Sequence, residues 1–283
     1  SVFPDSWPAG QVPYLFGESF TRFIADTAGR DRLAAVSTLY SGRGFPFLVE
    51  STASRALDRS YAELWGEWGL ALRERFRKQE VELRVQGLTA SGHLTRKGYY
   101  AISPAFSPDG KAIAYAVQNQ DEFPGIYLMN ADGSGDRKLA ENVFSLASSG
   151  SGLSWSPDGA KLYYTKLEVR GANFYNDLYA YELRTGQEVR LTGELRARDP
   201  HPSPDGKKLV FVMHRGGMTR LAMLPLEGRP RPARMEDCTA LGDWSGLQYG
   251  SPRWSPDGTR IAAAVQQPDG NRDIWLLDDR GNK

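Results

Sequence analysis

The sequence contains little of the chemistry that metal sites and thiol sites require. Its 283 residues include one cysteine, Cys238, and three histidines, His93, His201 and His214. A single cysteine excludes an intramolecular disulfide and leaves the redox compartment open. The histidines lack the His-Glu-x-x-His spacing that places two imidazoles on one face of a metalloprotease helix. We therefore predict no metal site, and we interpret the three histidines as surface or loop residues.

Catalytic and cofactor signatures are also absent from the sequence. Residues 149–152 read Ser-Gly-Ser-Gly, which does not match the Gly-x-Ser-x-Gly nucleophile elbow, and no helical pattern follows them. There is no Walker loop and no dinucleotide-binding fingerprint. For this chain the sequence predicts no catalytic residue and no cofactor.

Long hydrophobic runs and an excess of one charge are missing too. The formal net charge is +1, so no bulk electrostatic attraction to nucleic acid is expected. No apolar run is long enough for a transmembrane helix, and no signal-peptide pattern is present. Because the chain opens at Ser1 within an apolar, proline-rich segment, we expect it to be a fragment of a longer protein.

What the sequence does contain is one five-residue motif that occurs four times. The copies read FSPDG at 106–110, WSPDG at 155–159, PSPDG at 202–206 and WSPDG at 254–258. Their aspartates are 49, 47 and 52 residues apart, a period that is typical of propellers or solenoids. Each motif is followed by two apolar runs of strand length, and no helical periodicity interrupts them. The first runs lie at 112–117, 161–165, 209–213 and 261–265, and the second runs lie at 126–129, 178–181, 221–224 and 274–277. The repeat is therefore predicted to be an antiparallel blade, and the array a β-propeller with four recognisable blades.

The motif itself is predicted to be a tight turn. Proline presets φ, aspartate bonds the backbone of the turn, and glycine accepts the left-handed φ that closes it. We interpret the repeated pairs as structural turns rather than as metal ligands or catalysts. The pairs are Asp109 and Gly110, Asp158 and Gly159, Asp205 and Gly206, and Asp257 and Gly258. The aromatic residue before the serine is predicted to lie in the core between blades, which Pro202 weakens in the third copy.

A binding surface is the function that remains when the sequence shows no catalytic constellation. In a propeller the innermost strands line a central channel, and the strand that enters the motif is predicted to be the innermost one. Residues along this strand differ between the copies, as a site grafted on a scaffold would show and as ordinary loop variation would also show. The candidates at the channel mouth are Tyr100, Ser103, Arg198, Asp199, His201, Tyr249 and Arg253.

The first part of the chain has a different pattern. Four helices are predicted, at 16–28, 31–40, 47–57 and from residue 61 to about residue 76. Ser60 and Glu63 form a capping box at the start of the fourth helix. Its aromatic stripe is predicted to pack against the neighbouring helices. We expect a helical domain at 1–88, a linker at 86–93, and propeller repeats over 89–283.

The two ends of the array are predicted to be offset by one strand. Residues 93–98 are spaced from the first motif like the last strand of a blade, and the fourth repeat stops after its third strand. We expect 93–98 to lie antiparallel beside 273–278, in the same molecule or in a second copy. The ring is then either closed within the chain or truncated, and unpaired blade edges are candidates for self-association.

Residues 93–283 resemble the TolB-type propeller repeats, the class of the WSPDG motif, which is related to the WD repeats. The resemblance implies a protein-binding platform, usually six-bladed and often periplasmic or extracellular, with relatives attached to serine peptidases. Residues 13–80 are similar to the helical C-terminal part of gluzincin-like (peptidase MA-type) metalloprotease domains. That similarity implies a zinc motif upstream of Ser1, and no zinc ligand is carried over to this chain.

Two functional hypotheses follow from these patterns. The first is a non-catalytic scaffold that binds a protein or polymer partner through the propeller face. The second is an accessory region that presents substrate to a zinc metalloprotease whose His-Glu-x-x-His motif lies upstream. Small-ligand or lyase chemistry in the channel is disfavoured, because histidines and carboxylates do not converge in the sequence.

Overall fold

The computed structural model describes residues 12–44, 48–87, 89, 91–95, 100–118, 123–141, 152–228 and 231–283. The chain divides into two compact units, Ser1–Gly92 and His93–Lys283. The division falls inside the predicted linker, at residue 92 rather than 88.

The first unit is helical, as predicted. Its helices are α1 (Val12–Ala28), α2 (Arg30–Ser41), α3 (Val49–Leu57) and α4 (Tyr61–Gln86). The capping box of α4 is present, since the Ser60 hydroxyl accepts from the Glu63 amide at 3.1 Å and the Ser60 amide donates to the Glu63 carboxylate at 2.9 Å. None of the described helices combines the length and apolarity needed to cross a membrane.

The aromatic stripe of α4 is only partly packed. Trp68 is buried and donates from Nε1 to the Ser19 hydroxyl at 3.1 Å. Trp65 and Phe76 stay 51% and 54% exposed, although the sequence predicts that the whole stripe packs on its neighbours. The described ring contacts from α1 reach Trp65 and Trp68 in the first turns of α4, where Leu64 takes a core position, and do not extend to Phe76.

The second unit consists of four antiparallel sheets, which we call blades 1 to 4. Blade 1 contains β1 (Tyr100–Phe106), β2 (Ala112–Gln118), β3 (Gly125–Asn130) and β4 (Arg137–Glu141). Blade 2 contains β5 (Ser154–Trp155), β6 (Lys161–Arg170), β7 (Asn173–Glu182) and β8 (Glu188–Arg190). Blade 3 contains β9 (Ala197–Pro202), β10 (Lys208–Arg215), β11 (Met218–Pro225) and β12 (Thr239–Leu241). Blade 4 contains β13 (Gln248–Trp254), β14 (Ile261–Gln266) and β15 (Arg272–Leu277). The predicted strand runs and the propeller arrangement are confirmed.

Neighbouring blades share apolar cores, because successive side chains of a strand point to opposite faces of the sheet. Phe211 and Leu209 of β10 pack with residues of blade 2, whereas Val210 and Val212 pack with blade 4. The first strands of successive blades touch one another, so the strand that enters each motif is the innermost one, as predicted.

The residue before each motif serine does not have one environment. Trp254 lies in the core between blades 3 and 4, and Trp155 donates from Nε1 to the Ala105 carbonyl of blade 1 at 2.9 Å. Phe106, predicted to be core, is 64% exposed. Blade 1 is first in the array, so no described blade precedes it to cover this ring.

The ends of the array differ from the prediction. Blade 4 has three strands, as expected. Within the described residues, 93–95 form no strand, and the partner of β15 is β14. The Leu94 carbonyl instead lies beside Gly133, where it would be 3.3 Å from a Cβ added to that glycine. The predicted pairing of 93–98 with 273–278 within one molecule is therefore wrong for 93–95. Pairing with a second copy stays a prediction, and residues 96–98 lie outside the described residues.

Candidate functional site

The innermost strands share a backbone feature that was not anticipated from the sequence. Ser103, Gly152, Asp199 and Ser251 each lie four residues before a motif serine and have φ values of 54°, 57°, 57° and 48°. Register shifts mark this position as a bulge in blades 1, 3 and 4. Bulges re-aim side chains and are frequent next to binding sites. The usable signal was a proline after this residue in three of the four copies, at constant distance from the motif.

Blade 2 has glycine at this position because another backbone lies against it. A Cβ on Gly152 would be 2.7 Å from the Asp199 Cα and 2.9 Å from the Thr165 hydroxyl oxygen. Neither distance is sterically allowed, and the first partner is main chain, which cannot turn away. The inner strands of blades 2 and 3 can therefore approach this closely only with glycine at residue 152.

The bulges surround a cavity of about 510 Å³ to which all four blades contribute. Its polar lining residues are Ser103, Ser154, Asp199, His201, Ser251 and Arg253. Four of the predicted channel residues thus come together in space, although their sequence positions are far apart.

The other predicted site residues lie elsewhere. Tyr249 is buried in the core between blades 3 and 4, and the side chain of Tyr100 lies outside the described residues. Arg198 does not line the cavity but is bonded to Asp199, which does. The sequence could not distinguish the residues that line the cavity from those that do not, because both kinds lie on the same strands.

Asp199 lines the cavity and makes hydrogen bonds to residues of blades 2, 3 and 4. Its buried carboxylate accepts from Arg198 Nη1 at 2.5 Å and from the Ser251 amide at 3.2 Å. Its own amide donates to the Thr165 hydroxyl at 3.1 Å. Arg198 also donates to the Tyr249 carbonyl at 2.8 Å. The charge of Asp199 is thus matched within the protein, as burial of a carboxylate requires.

The interpretation of all three histidines as surface or loop residues is wrong for the two that lie in blade 3. His201 lies on β9 and His214 on β10, and both are half-buried, whereas His93 is exposed outside any strand. Burial lowers the pKa of His201 to about 4, and the nearby Arg253 guanidinium adds to the effect. Burial also lowers the pKa of His214 to about 4. The Nε2 atom of His214 accepts a hydrogen bond from Arg198 Nε at 2.6 Å. Both imidazoles are neutral at neutral pH.

Arg253 is the cation that faces the cavity. Its side chain is accessible to solvent, yet the protein that surrounds the cavity lowers the pKa of its guanidinium by desolvation. A recess that is open to solvent and lined by protein accounts for both properties. Among the described residues, no three His, Cys, Asp or Glu side chains are grouped so that they could hold a metal ion.

The four motifs form the same hydrogen-bonded turn. In each, the glycine has φ of +71°, and its amide donates to the carbonyl of the motif serine. The serine hydroxyl donates to the aspartate, at 2.5 Å for Ser255 and Asp257, and this bond lowers the pKa of Asp257 to about 2. The same serine bond lowers the pKa of the other three motif aspartates. These carboxylates are used by their own turns.

A family model and several known proteins match parts of this chain. The family model described as TolB beta propeller domain matches residues 73–232. The uncharacterized protein Atu1656 of Agrobacterium fabrum (strain C58 / ATCC 33970) is 34% identical over 158 residues, which cover 55% of this chain and 47% of that protein. The uncharacterized peptidase YuxL of Bacillus subtilis (strain 168) is 33% identical over 132 residues, covering 44% of this chain and 18% of that protein. The chain therefore spans less than half the length of these curated relatives.

Two solved structures share the fold. TolB from Agrobacterium tumefaciens has a TM-score of 0.54 at 24% identity, covering 67% of this chain and 65% of that one. TolB from Acinetobacter baumannii has a TM-score of 0.53 at 22% identity, covering 65% of this chain and 42% of that one.

Proposed function

Because the chain belongs to the TolB beta propeller domain family, we propose that it is a non-catalytic scaffold that binds a protein partner at the mouth of the propeller channel. The observation that supports this proposal is the cavity to which all four inner strands contribute. Its polar groups are held by a bulge repeated in successive blades, so the site is preorganised, which lowers the entropy cost of binding.

A displayed peptide library tests the proposal on the purified chain. Binders are selected, and their affinities are measured again with the double variant Ser103→Asn and Ser251→Asn. Asparagine tolerates the left-handed φ of both positions and fills space at the mouth. We expect affinity to fall about tenfold or more, a loss of roughly 1.4 kcal/mol. The control is Thr185→Asn, on an exposed outer turn of blade 2. Binders that are equally insensitive to both variants would refute a channel-mouth site.

A second candidate is an accessory region of a larger peptidase. It is supported by the match to a relative named as a peptidase. The match covers only 18% of that protein, so most of the relative's length lies outside the region that resembles this chain. In this alternative the propeller presents substrate, and the helical unit is the end of a gluzincin-like domain. Sequencing the gene upstream of Ser1 tests it. A His-Glu-x-x-His motif within about 100 residues is expected, and an upstream region without one would remove the metalloprotease alternative.

We further propose a periplasmic or extracellular location for the parent protein. The support is the shared fold with two bacterial TolB structures. Fractionation of cells that express the full-length gene tests it. Recovery in the cytoplasmic fraction would refute this location.

Self-association through the open face of blade 4 is the last part of the proposal. Ile274 and Leu276 point away from blade 3 and are 70% and 57% exposed, so a second copy could bury both. Sedimentation velocity should show association of the unmodified chain, and Leu276→Asp should abolish it. The control is Val169→Asp, at an exposed end of β6, which should leave the association unchanged. A monomer at all concentrations would refute self-association.

A further inference from the structure

The cavity holds hydrogen-bond donors that the protein does not use. Arg253 carries five N–H donors, and within the described residues its side chain makes one hydrogen bond, from Nη1 to the Pro252 carbonyl at 2.9 Å. It forms no ion pair with the described residues. Asp199 attracts it at longer range, but that carboxylate is bonded to Arg198 and to the Ser251 amide.

His201 adds a second donor with a defined direction. Its Nδ1 accepts from the Trp254 amide at 3.1 Å. A neutral imidazole that accepts at Nδ1 carries its proton on Nε2. No described residue accepts a hydrogen bond from that Nε2–H, so His201 offers one N–H donor to a ligand.

The charge of the site selects the kind of ligand. Arg198 and Arg253 each bring a positive charge, Asp199 brings a negative charge, and both half-buried histidines are neutral at neutral pH. One positive charge therefore remains unmatched among these groups. One carboxylate neutralises it, whereas a phosphate dianion would leave an excess negative charge beside buried Asp199. The planar guanidinium also fits the two oxygens of a carboxylate.

We propose that Arg253 and His201 form a subsite for one carboxylate, supplied by an acidic side chain of a peptide that enters the channel. The peptide source rests on the proposed scaffold function, but the carboxylate subsite does not. Ser103 and Ser251 lie on the same cavity and can donate further hydrogen bonds from their hydroxyls.

Nuclear magnetic resonance of the arginine Nε–Hε groups tests the subsite on the whole chain. The probes are acetyl-Gly-Glu-Gly-amide, its glutamine analogue and its phosphoserine analogue. We expect the glutamate peptide to shift the Arg253 signal saturably. The glutamine analogue should bind at least about tenfold more weakly, because it cannot form charge-assisted hydrogen bonds.

Variants locate the effect. Arg253→Gln should abolish the preference for glutamate over glutamine. Arg253→Lys should retain part of it, since lysine keeps the charge but lacks the planar fork. Arg260→Gln is the matched control, because Arg260 is exposed in the same blade and outside the cavity lining. Unchanged thermal midpoints show that each variant is folded.

The outcomes separate this inference from the proposed function. Equal affinity for the glutamate and glutamine peptides, or an unchanged preference in Arg253→Gln, would overturn the subsite even if library peptides bind the channel. Tighter binding of the phosphoserine peptide would overturn the choice of a carboxylate. A glutamate peptide that shifts Arg253, combined with a library that yields no channel binder, would keep the subsite and refute the protein scaffold.

Discussion

Blade 3 and blade 4 have similar apolar strands but different surroundings. In β10, five successive residues from Leu209 to Met213 are fully buried, because blades 2 and 4 cover both faces. In β14 and β15 only the face toward blade 3 is buried, and Ile274 and Leu276 on the other face are exposed. The comparison teaches that burial in this array depends on the number of neighbouring blades, not on the apolar content of a strand.

The largest expected difference between the two blades concerns their side chains. Phe211→Ala in blade 3 empties a fully buried site and should destabilise the propeller by about 3–5 kcal/mol. Ile274→Ala in blade 4 should change stability by about 0.5 kcal/mol or less, because the side chain is 70% exposed. Urea unfolding of both variants measures the difference. Similar losses would mean that blade 4 is covered on both faces in solution.

The junction of blades 2 and 3 should be the next most sensitive place. Gly152→Ala combines a positive φ with a Cβ 2.7 Å from the Asp199 Cα, so we expect a loss of about 2–4 kcal/mol. The matched control is Gly171→Ala, which has a similar φ of +59° and no atom near its added Cβ. Thermal melting compares them, and equal losses would show that backbone strain alone, rather than blade contact, sets the cost.

In blade 4, a substitution in the turn should cost less. Gly258→Val places a β-branched residue at φ of +71°, and we expect a loss of about 1–3 kcal/mol. The Cβ itself would lie 3.6 Å from the Pro204 side chain, which is ordinary contact. Calorimetry checks the value, and an unchanged melting temperature would contradict the turn assignment.

The last difference is a dependence on pH that belongs to blade 3. His201 and His214 have folded pKa values of about 4, below the ordinary value of 6.5. Between these values the unfolded chain binds more protons than the folded chain, so stability should fall as pH falls from 6.5 to 4. The double variant His201→Gln and His214→Gln should show a shallower slope in denaturant titrations across this range. An identical slope would mean that the histidines do not cause it.

Much of the fold was predictable, because its determinants are local. The Ser-Pro-Asp-Gly turns satisfy their own hydrogen bonds within a few residues, and strand length and period appear directly in the apolar pattern. The capping box of α4 is local in the same sense. The position of the strand that enters each motif, innermost in its blade, also follows from the repeat pattern.

The candidate site was predictable only in part. The sequence pointed to Ser103, Asp199, His201 and Arg253 because they precede the motifs. It did not show that Arg198 neutralises Asp199, or that Arg253 keeps its donors for the cavity. Those roles depend on distances between blades. The local sequence does not indicate which residues, about fifty positions apart in the chain, are in contact.

By itself, the sequence determined the repeat, the turn chemistry, the blades and the helices that precede them. Only the tertiary structure decided which apolar faces are covered. Leu221 of β11 and Leu276 of β15 are both leucines in apolar strands, yet the first is fully buried and the second is exposed. Apolar character records how much free energy burial would release. Whether burial occurs depends on a neighbouring sheet, and the sequence of one strand does not specify that neighbour.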